Sequence, residues 1–207
     1  MLNVLEVFTD FVCPWCYLAE KQLQQALRDK KMTVRYVYFP LHPETSVEGM
    51  TLEELFAGRG WDVARDQEQL GSIMRGEGLD YGERTHTYNS RCAQELAKYV
   101  EMTAINEDVS QVSQFRTELF LAYFGRGENI ANPTVLQGIC RHIGLEEFYV
   151  EKALSDSRAA DAVDEDWEYC RKMDVTGVPA FRFGEEWVRG CRGVAALESL
   201  IRVEQPE

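Results

Sequence analysis

The chain has 207 residues, 45% of them apolar and 28% charged, with 22 basic against 35 acidic side chains and a formal net charge of −13. This length and apolar content support a buried core without disulfide staples, and no apolar run approaches the roughly 20 residues that a bilayer span requires. The acidic balance argues against a nucleic-acid partner, because phosphate neutralisation needs clustered Lys and Arg.

In chain order, Leu2 to Phe8 is a short run with apolar residues on both faces, the pattern of a strand covered by helices on each side. It stops at Asp10. Pro14 then suits the first position of a helix, where its missing N–H costs nothing, with Ala19, Leu23, Ala26 and Leu27 at helical spacing behind it. Met32 to Phe39, aromatic and β-branched and ended by Pro40 and Pro43, predicts a second strand. Strand, helix and strand make a βαβ unit with a parallel pair.

From about Thr51 to about Leu154 the pattern is helical, with no convincing strand. Thr51-Leu52-Glu53-Glu54 matches a capping box. Val112, Phe115, Leu119, Phe120 and Tyr123 share a helical stripe. Asn132-Pro133 starts a further helix with Val135, Leu136, Ile139, Cys140 and Ile143 inward, and Gly144 ends it. Ser155-Asp156-Ser157 offers caps for a helix whose inward positions are Ala160, Val163, Trp167, Cys170 and Met173. Ala180 to Phe183, Gly184-Glu185 and Glu186 to Arg189 read as strand, turn and strand, and Val194 to Val203 closes the chain as a helix.

Six cysteines stand at 13, 16, 92, 140, 170 and 191, and only Cys13 and Cys16 are close in sequence. Such dispersal is unlike a secreted disulfide scaffold. The chain opens Met1-Leu2-Asn3-Val4 directly into strand-like sequence, without a basic segment, apolar stretch and cleavage site, so the expected location is the cytoplasm.

Cys13-Pro14-Trp15-Cys16 at a helix start carries the chemistry. Disulfide exchange needs one accessible, ionised thiol and a second that resolves the mixed disulfide. Cys13 falls at the N-cap, facing the unpaired N–H groups, and Cys16 lies one turn inward. Lowering a thiol pKa by two to four units takes about 3 to 5 kcal/mol, whereas a helix terminus supplies roughly 0.3–1 and at best about 2. Direct N–H and S–H hydrogen bonds must supply the rest, and Pro14-Trp15 fixes the turn that aims them. A pair at this spacing is also half of a zinc knuckle; Cys140-Arg141-His142 would have to complete it, with only one intervening residue.

Val12-Cys13-Pro14-Trp15-Cys16 after a first strand, a long helical insertion, and Val175-Thr176-Gly177-Val178-Pro179 before the last two strands resemble the DsbA family of thioredoxin-fold oxidoreductases, in particular its cytoplasmic FrnE-like branch. Asn89-Ser90, Leu121-Ala122-Tyr123-Phe124, Gly127 and Asn129-Ile130 extend the likeness over nearly the whole chain. The resemblance implies an α/β, thioredoxin-like fold with a large all-helical insertion: residues 1–45 and 155–207 as a discontinuous thioredoxin-like domain and 46–154 as the inserted domain. It further implies Cys13 as nucleophile, Cys16 as resolving thiol and a cis Val178–Pro179 bond packed against them, with Pro14, Trp15, Val178 and Pro179 meeting substrate. Proline without an N–H leaves the preceding backbone free to pair with an extended substrate.

Where relatives often carry Gly-Ala-Gln this chain has Gly190-Cys191-Arg192, so Cys191 is either a third redox partner or a small filler. Cys92, Cys140 and Cys170 read as core. His86 and His142 have bland readings, His42 follows the second strand, whose end faces the same side as the cysteine pair, and is either near the site or a polar loop residue, and Phe11, Trp15, Phe39 and Trp61 line an apolar groove or belong to the core.

The leading expectation is a thiol–disulfide oxidoreductase acting on protein or small-molecule disulfides, with no cofactor beyond its own redox-active pair and with glutathione as the alternative co-substrate. In a compartment near −220 to −320 mV, reduction or isomerisation suits it better than bulk oxidation. Partners are disulfide-bearing proteins or peptides, not nucleic acid or membrane, and the chain is a monomer or homodimer. The alternatives are a glutathione-dependent isomerase or transferase of the kappa or 2-hydroxychromene-2-carboxylate isomerase type, which usually has Ser at the position of Cys13, and a peptide-binding holdase.

Overall fold

The structure is a computed structural model that describes residues 4–104 and 109–202; Met1, Leu2, Asn3 and Val203, included in the sequence reading of the terminal elements, lie outside them. The chain divides into two compact units, residues 1–41 with 164–207, and residues 42–163.

The first unit is built on a four-stranded sheet. Strand β1 (Val4–Thr9) leads through helix α1 (Pro14–Ala26) to β2 (Thr33–Tyr38), and near the C-terminus β5 (Ala180–Phe183) and β6 (Glu186–Arg189) are followed by α9 (Val194–Arg202). The order is β2-β1-β5-β6, with β1 parallel to β2 and antiparallel to β5. Alternation along β1 sends Leu5 and Val7 to one face, where they meet Phe181 and Phe183 under α1 (Ala19, Leu23, Ala26) and α9 (Leu197, Leu200, Ile201). Phe8 points to the other face, with Val37 and Ala180 against Cys170 and Val175. Burying each such large apolar side chain contributes about 1.5–3 kcal/mol.

Glu6 is the exception in this strand. Its carboxylate accepts hydrogen bonds from Arg35 at 3.1 Å, Arg182 at 3.0 Å and the Tyr169 hydroxyl at 3.0 Å, so the burial of its charge is compensated by full pairing.

The second unit holds α2 (Leu52–Leu55), α3 (Val63–Gly76), α4 (Arg91–Ala104), α5 (Val109–Phe120), α6 (Pro133–His142) and α7 (Phe148–Ser155). Helix α8 (Ser157–Lys172) begins in this unit and ends in the first. The capping box at Thr51 forms as expected: Glu54 N–H donates to the Thr51 hydroxyl and Thr51 N–H to the Glu54 carboxylate. Asn132 caps α6 by accepting from Thr134 N–H at 2.9 Å.

Besides the register of α8, two features depart from the sequence reading. A two-residue ladder pairs β3 (Met50–Thr51) with β4 (His86–Thr87) inside the helical stretch, and α5 runs into a π-helical turn at Leu121–Gly125. Strands of two residues have no measurable alternation, and a π turn keeps apolar spacing close enough to helical that composition does not reveal it.

Candidate active site

Pro14 opens α1 at its first position, and Cys13 occupies the N-cap with extended backbone, φ −91° and ψ 116°. The Cys13 carbonyl accepts from Cys16 N–H at 3.0 Å and Tyr17 N–H at 3.3 Å, which starts the helix. The sulfur itself takes no hydrogen bond from the helix N–H groups. Its thiol instead donates to the Val178 carbonyl at 3.4 Å, 165 residues away in sequence. This corrects the expectation that the sulfur faces the helix end: Pro14 has no N–H to offer, and the carbonyl just before Pro179 is the acceptor that the fold delivers. The Val178–Pro179 bond is cis.

Cys16 lies behind Cys13, 2% exposed. Burial pushes its thiol well above the usual range, and the hydrogen bond to Cys13 and the charge of Cys13 push the same way. A backbone N–H from Asp10 and the hydroxyl of Thr9 act against them. Both cysteines are free thiols and both are buried, Cys13 4% exposed against the accessible position expected for it, with its sulfur covered on the side of the Val178 carbonyl.

The loop carrying them is tied down by Asp10, a fully buried residue. Its carboxylate accepts from Val12 N–H at 3.0 Å and Leu41 N–H at 3.1 Å, and its carbonyl accepts from Cys13 N–H at 3.2 Å. Sequence reasoning took Asp10 only as the end of a strand and gave Thr9 no role. The available signal was an Asp directly after a strand and three residues before the pair, the composition of a turn in which a carboxylate replaces a backbone acceptor.

Pro14 and Val178 are half-buried, Pro179 is buried, and the Pro179 carbonyl accepts from Gly190 N–H at 2.8 Å. Trp15 is 40% exposed. The structure therefore joins Cys13, Cys16 and Val178 by direct interactions and leaves the Trp15 indole at the surface. Of the other aromatic candidates, Phe11 is core and stacks obliquely on Tyr38 at 5.4 Å. Trp61 belongs to the helical unit, is 56% exposed and stacks on Phe56 beside a surface concavity of about 640 Å³.

Cys191 is half-buried and donates to the Gln22 side-chain carbonyl at 3.2 Å, which also accepts from Gly193 N–H. Cys140 and Cys170 are buried on their helices and Cys92 is half-buried. Among the described residues no three His, Cys, Asp or Glu side chains converge as a metal site, and no helix is long and apolar enough to cross a membrane.

The chain is similar to known proteins in sequence and in fold. The uncharacterized protein YwbO of Bacillus subtilis (strain 168) is 22% identical over 204 residues, 97% of this chain and 96% of its own length. The crystal structure of a probable DsbA oxidoreductase, SCO1869 from Streptomyces coelicolor, superposes with a TM-score of 0.82 at 20% identity, covering 99% of this chain and 92% of that one. The cytosolic disulfide reductase DsbM from Pseudomonas aeruginosa with GSH superposes with a TM-score of 0.69 at 15% identity, covering 97% and 100%. A sheet of this order interrupted by a long helical segment, with a helix-capping cysteine beside a cis-proline, is the setting in which the model of the DSBA-like thioredoxin domain matches residues 4–202, and the chain belongs to that family of thiol–disulfide oxidoreductases.

Proposed function

We propose that the chain is a disulfide reductase in which Cys13 attacks and Cys16 resolves. The observation that carries this reading is the Cys13 sulfur at 3.4 Å from the Val178 carbonyl, with Cys16 buried behind it. Cys13 as thiolate attacks one sulfur of a substrate disulfide, forming a mixed disulfide and releasing the first substrate thiolate. Cys16 loses its proton and attacks the Cys13 sulfur, releasing the second. Two electrons pass to the substrate, and the Cys13–Cys16 disulfide remains. The Val178 backbone, freed from Cys13 when that thiol ionises, accepts an N–H from an extended substrate, while Pro14, Trp15 and Pro179 border it.

Substrates are protein or peptide disulfides, and glutathione is the reductant that returns the pair to thiols, two molecules giving one glutathione disulfide. The family likeness and the DsbM complex with GSH support this choice, as does a reducing cytoplasmic setting in which the pair rests as thiols. The functional halves are a discontinuous thioredoxin-like domain, residues 1–45 and 155–207, which carries the chemistry, and an inserted helical domain, residues 46–154.

Insulin reduction with glutathione as electron source tests the reading. Cys13→Ser abolishes turnover, and Cys16→Ser accumulates a mixed disulfide at Cys13 detectable by mass spectrometry. Cys13→Ser retaining turnover would overturn it, and aggregation suppression unchanged in that variant would favour a holdase.

A further inference from the structure

The loop between α2 and α3 holds an aromatic ring that the fold leaves in water. Trp61 is 56% exposed, although an indole is among the side chains with most apolar surface to gain from burial. It is held in place nonetheless, stacked on Phe56 with ring centroids 4.4 Å apart and planes 18° apart. A single apolar side chain at a surface needs no explanation. Trp61 and Phe56, however, are walls of one concavity of about 640 Å³, which Glu53, Gly58, Gly60 and Asp62 also line. That volume falls within the range of ligand-binding clefts.

Local geometry makes the concavity. Gly58 and Gly60 have φ of +74° and +69°, left-handed conformations that glycine adopts without strain, and no atom lies within 4 Å of where a Cβ would stand on either. They let the chain fold back between Phe56 and Trp61 so that the two rings meet. Asp62 then caps α3, its carboxylate accepting from Arg65 N–H at 3.1 Å. A carboxylate of the chain already answers this helix end, which removes the usual reason for an anion to settle there.

The charges select the opposite sign. The walls carry two carboxylates, Glu53 and Asp62, and no cation. Arg59 stands against Phe56, 5.9 Å from its ring centroid, and among the described residues no cation stands over Trp61. An exposed indole with carboxylates beside it attracts a cation. A guanidinium suits it better than an ammonium, because it is planar, stacks on aromatic faces, sheds water readily and directs its N–H groups at carboxylates. The concavity is local to one stretch, residues 53–64, and lies at the surface, so it accommodates the end of one side chain projecting from a larger partner.

We propose that this concavity binds the side chain of an arginine in a partner polypeptide, with Trp61 as the stacking platform and Glu53 and Asp62 as the charges that select it. The net charge of −13 draws a basic partner toward the chain. The site needs neither Cys13 nor Cys16.

The ¹⁵N-labelled reduced full chain is titrated at constant ionic strength with acetyl-Gly-Arg-Gly-amide and with the same peptide carrying citrulline, which keeps the shape of arginine without its charge. Backbone amide shifts of Gly58 and Gly60 report occupancy in every variant. The arginine peptide gives saturable shifts centred on residues 53–64, and the citrulline peptide binds about threefold or more weakly. Trp61→Ala weakens the arginine peptide about two- to fivefold, the size of an exposed cation–π contact. Glu53→Gln combined with Asp62→Asn removes both charges while leaving a capping side chain on α3, and brings the two peptides level. Equal binding of both peptides to wild type would overturn the proposal. So would shifts spread over the acidic surface instead of gathered at residues 53–64, or undiminished binding in Trp61→Ala. Tetramethylammonium binding more tightly than the arginine peptide would overturn it too, assigning the concavity to a small quaternary cation.

Discussion

The Cys16 sulfur is held between opposing influences, and the residues that oppose burial are Thr9 and Asp10. Resolution of a mixed disulfide requires Cys16 to lose its proton in an enclosed site, so every donor aimed at that sulfur favours the step. Thr9→Val keeps the shape and removes one donor. A hydrogen bond to a charged group contributes about 1.5–3 kcal/mol, partly offset because a more basic thiolate is a better nucleophile. The expected result is resolution slowed about 3- to 10-fold, with a pH–rate curve that keeps rising to higher pH than in wild type, measured by stopped-flow release of the second thiol. An unchanged pH–rate curve would remove Thr9 from the mechanism. Cys13 and Cys16 were legible because their chemistry is written in residue type and spacing. Thr9 and Asp10 were not, because a hydroxyl or a carboxylate acquires its role from where the fold aims it, and nothing in one sequence records that direction.

At the level of elements, the starts of helices were the most legible features. Pro14 and Pro133 each sit at a first helical position, and Asn132 satisfies a donor that the helix leaves open. Asn132→Ala therefore costs about 1 kcal/mol of stability through α6 alone. Urea denaturation of the variant shows a lower midpoint with an unchanged slope, and turnover at the cysteine pair stays at the wild-type level. A neutral effect would mean that water or a neighbour replaces the cap. What remained hidden at this scale was the register of α8. Its inward residues are Ala159, Val163, Asp166 and Cys170, whereas apolar spacing placed Ala160 and Trp167 inward. Asp166 displaces them because its carboxylate accepts from Tyr38 N–H at 2.8 Å, tying α8 to the end of β2. An acid at a buried position breaks the binary pattern on which the periodicity argument rests.

For the whole molecule, three buried or half-buried thiols and one histidine give stability a dependence on pH. Cys16, Cys92 and Cys140 are each pushed upward by burial, Cys140 to about 11. In the unfolded chain such thiols ionise near 8.5. Between those values the unfolded state has lost protons that the native state retains, so stability falls as pH rises through that window. His42 gives the opposite limb. Its folded pKa lies below the unfolded value near 6.5, so the unfolded state binds the proton first and stability falls as pH drops below that point. The expected profile is a plateau from about pH 6.5 to 8.5, measured by urea titration under reducing conditions. Two substitutions assign the limbs: Cys140→Ala shallows the alkaline decline and His42→Gln the acid shoulder, each relative to its own plateau so that any cavity or packing cost cancels. A wild-type profile that stays flat from pH 8 to 11 would mean that these thiols are solvated in the folded chain, and the enclosed resolving thiol on which the proposed exchange depends would be lost with them.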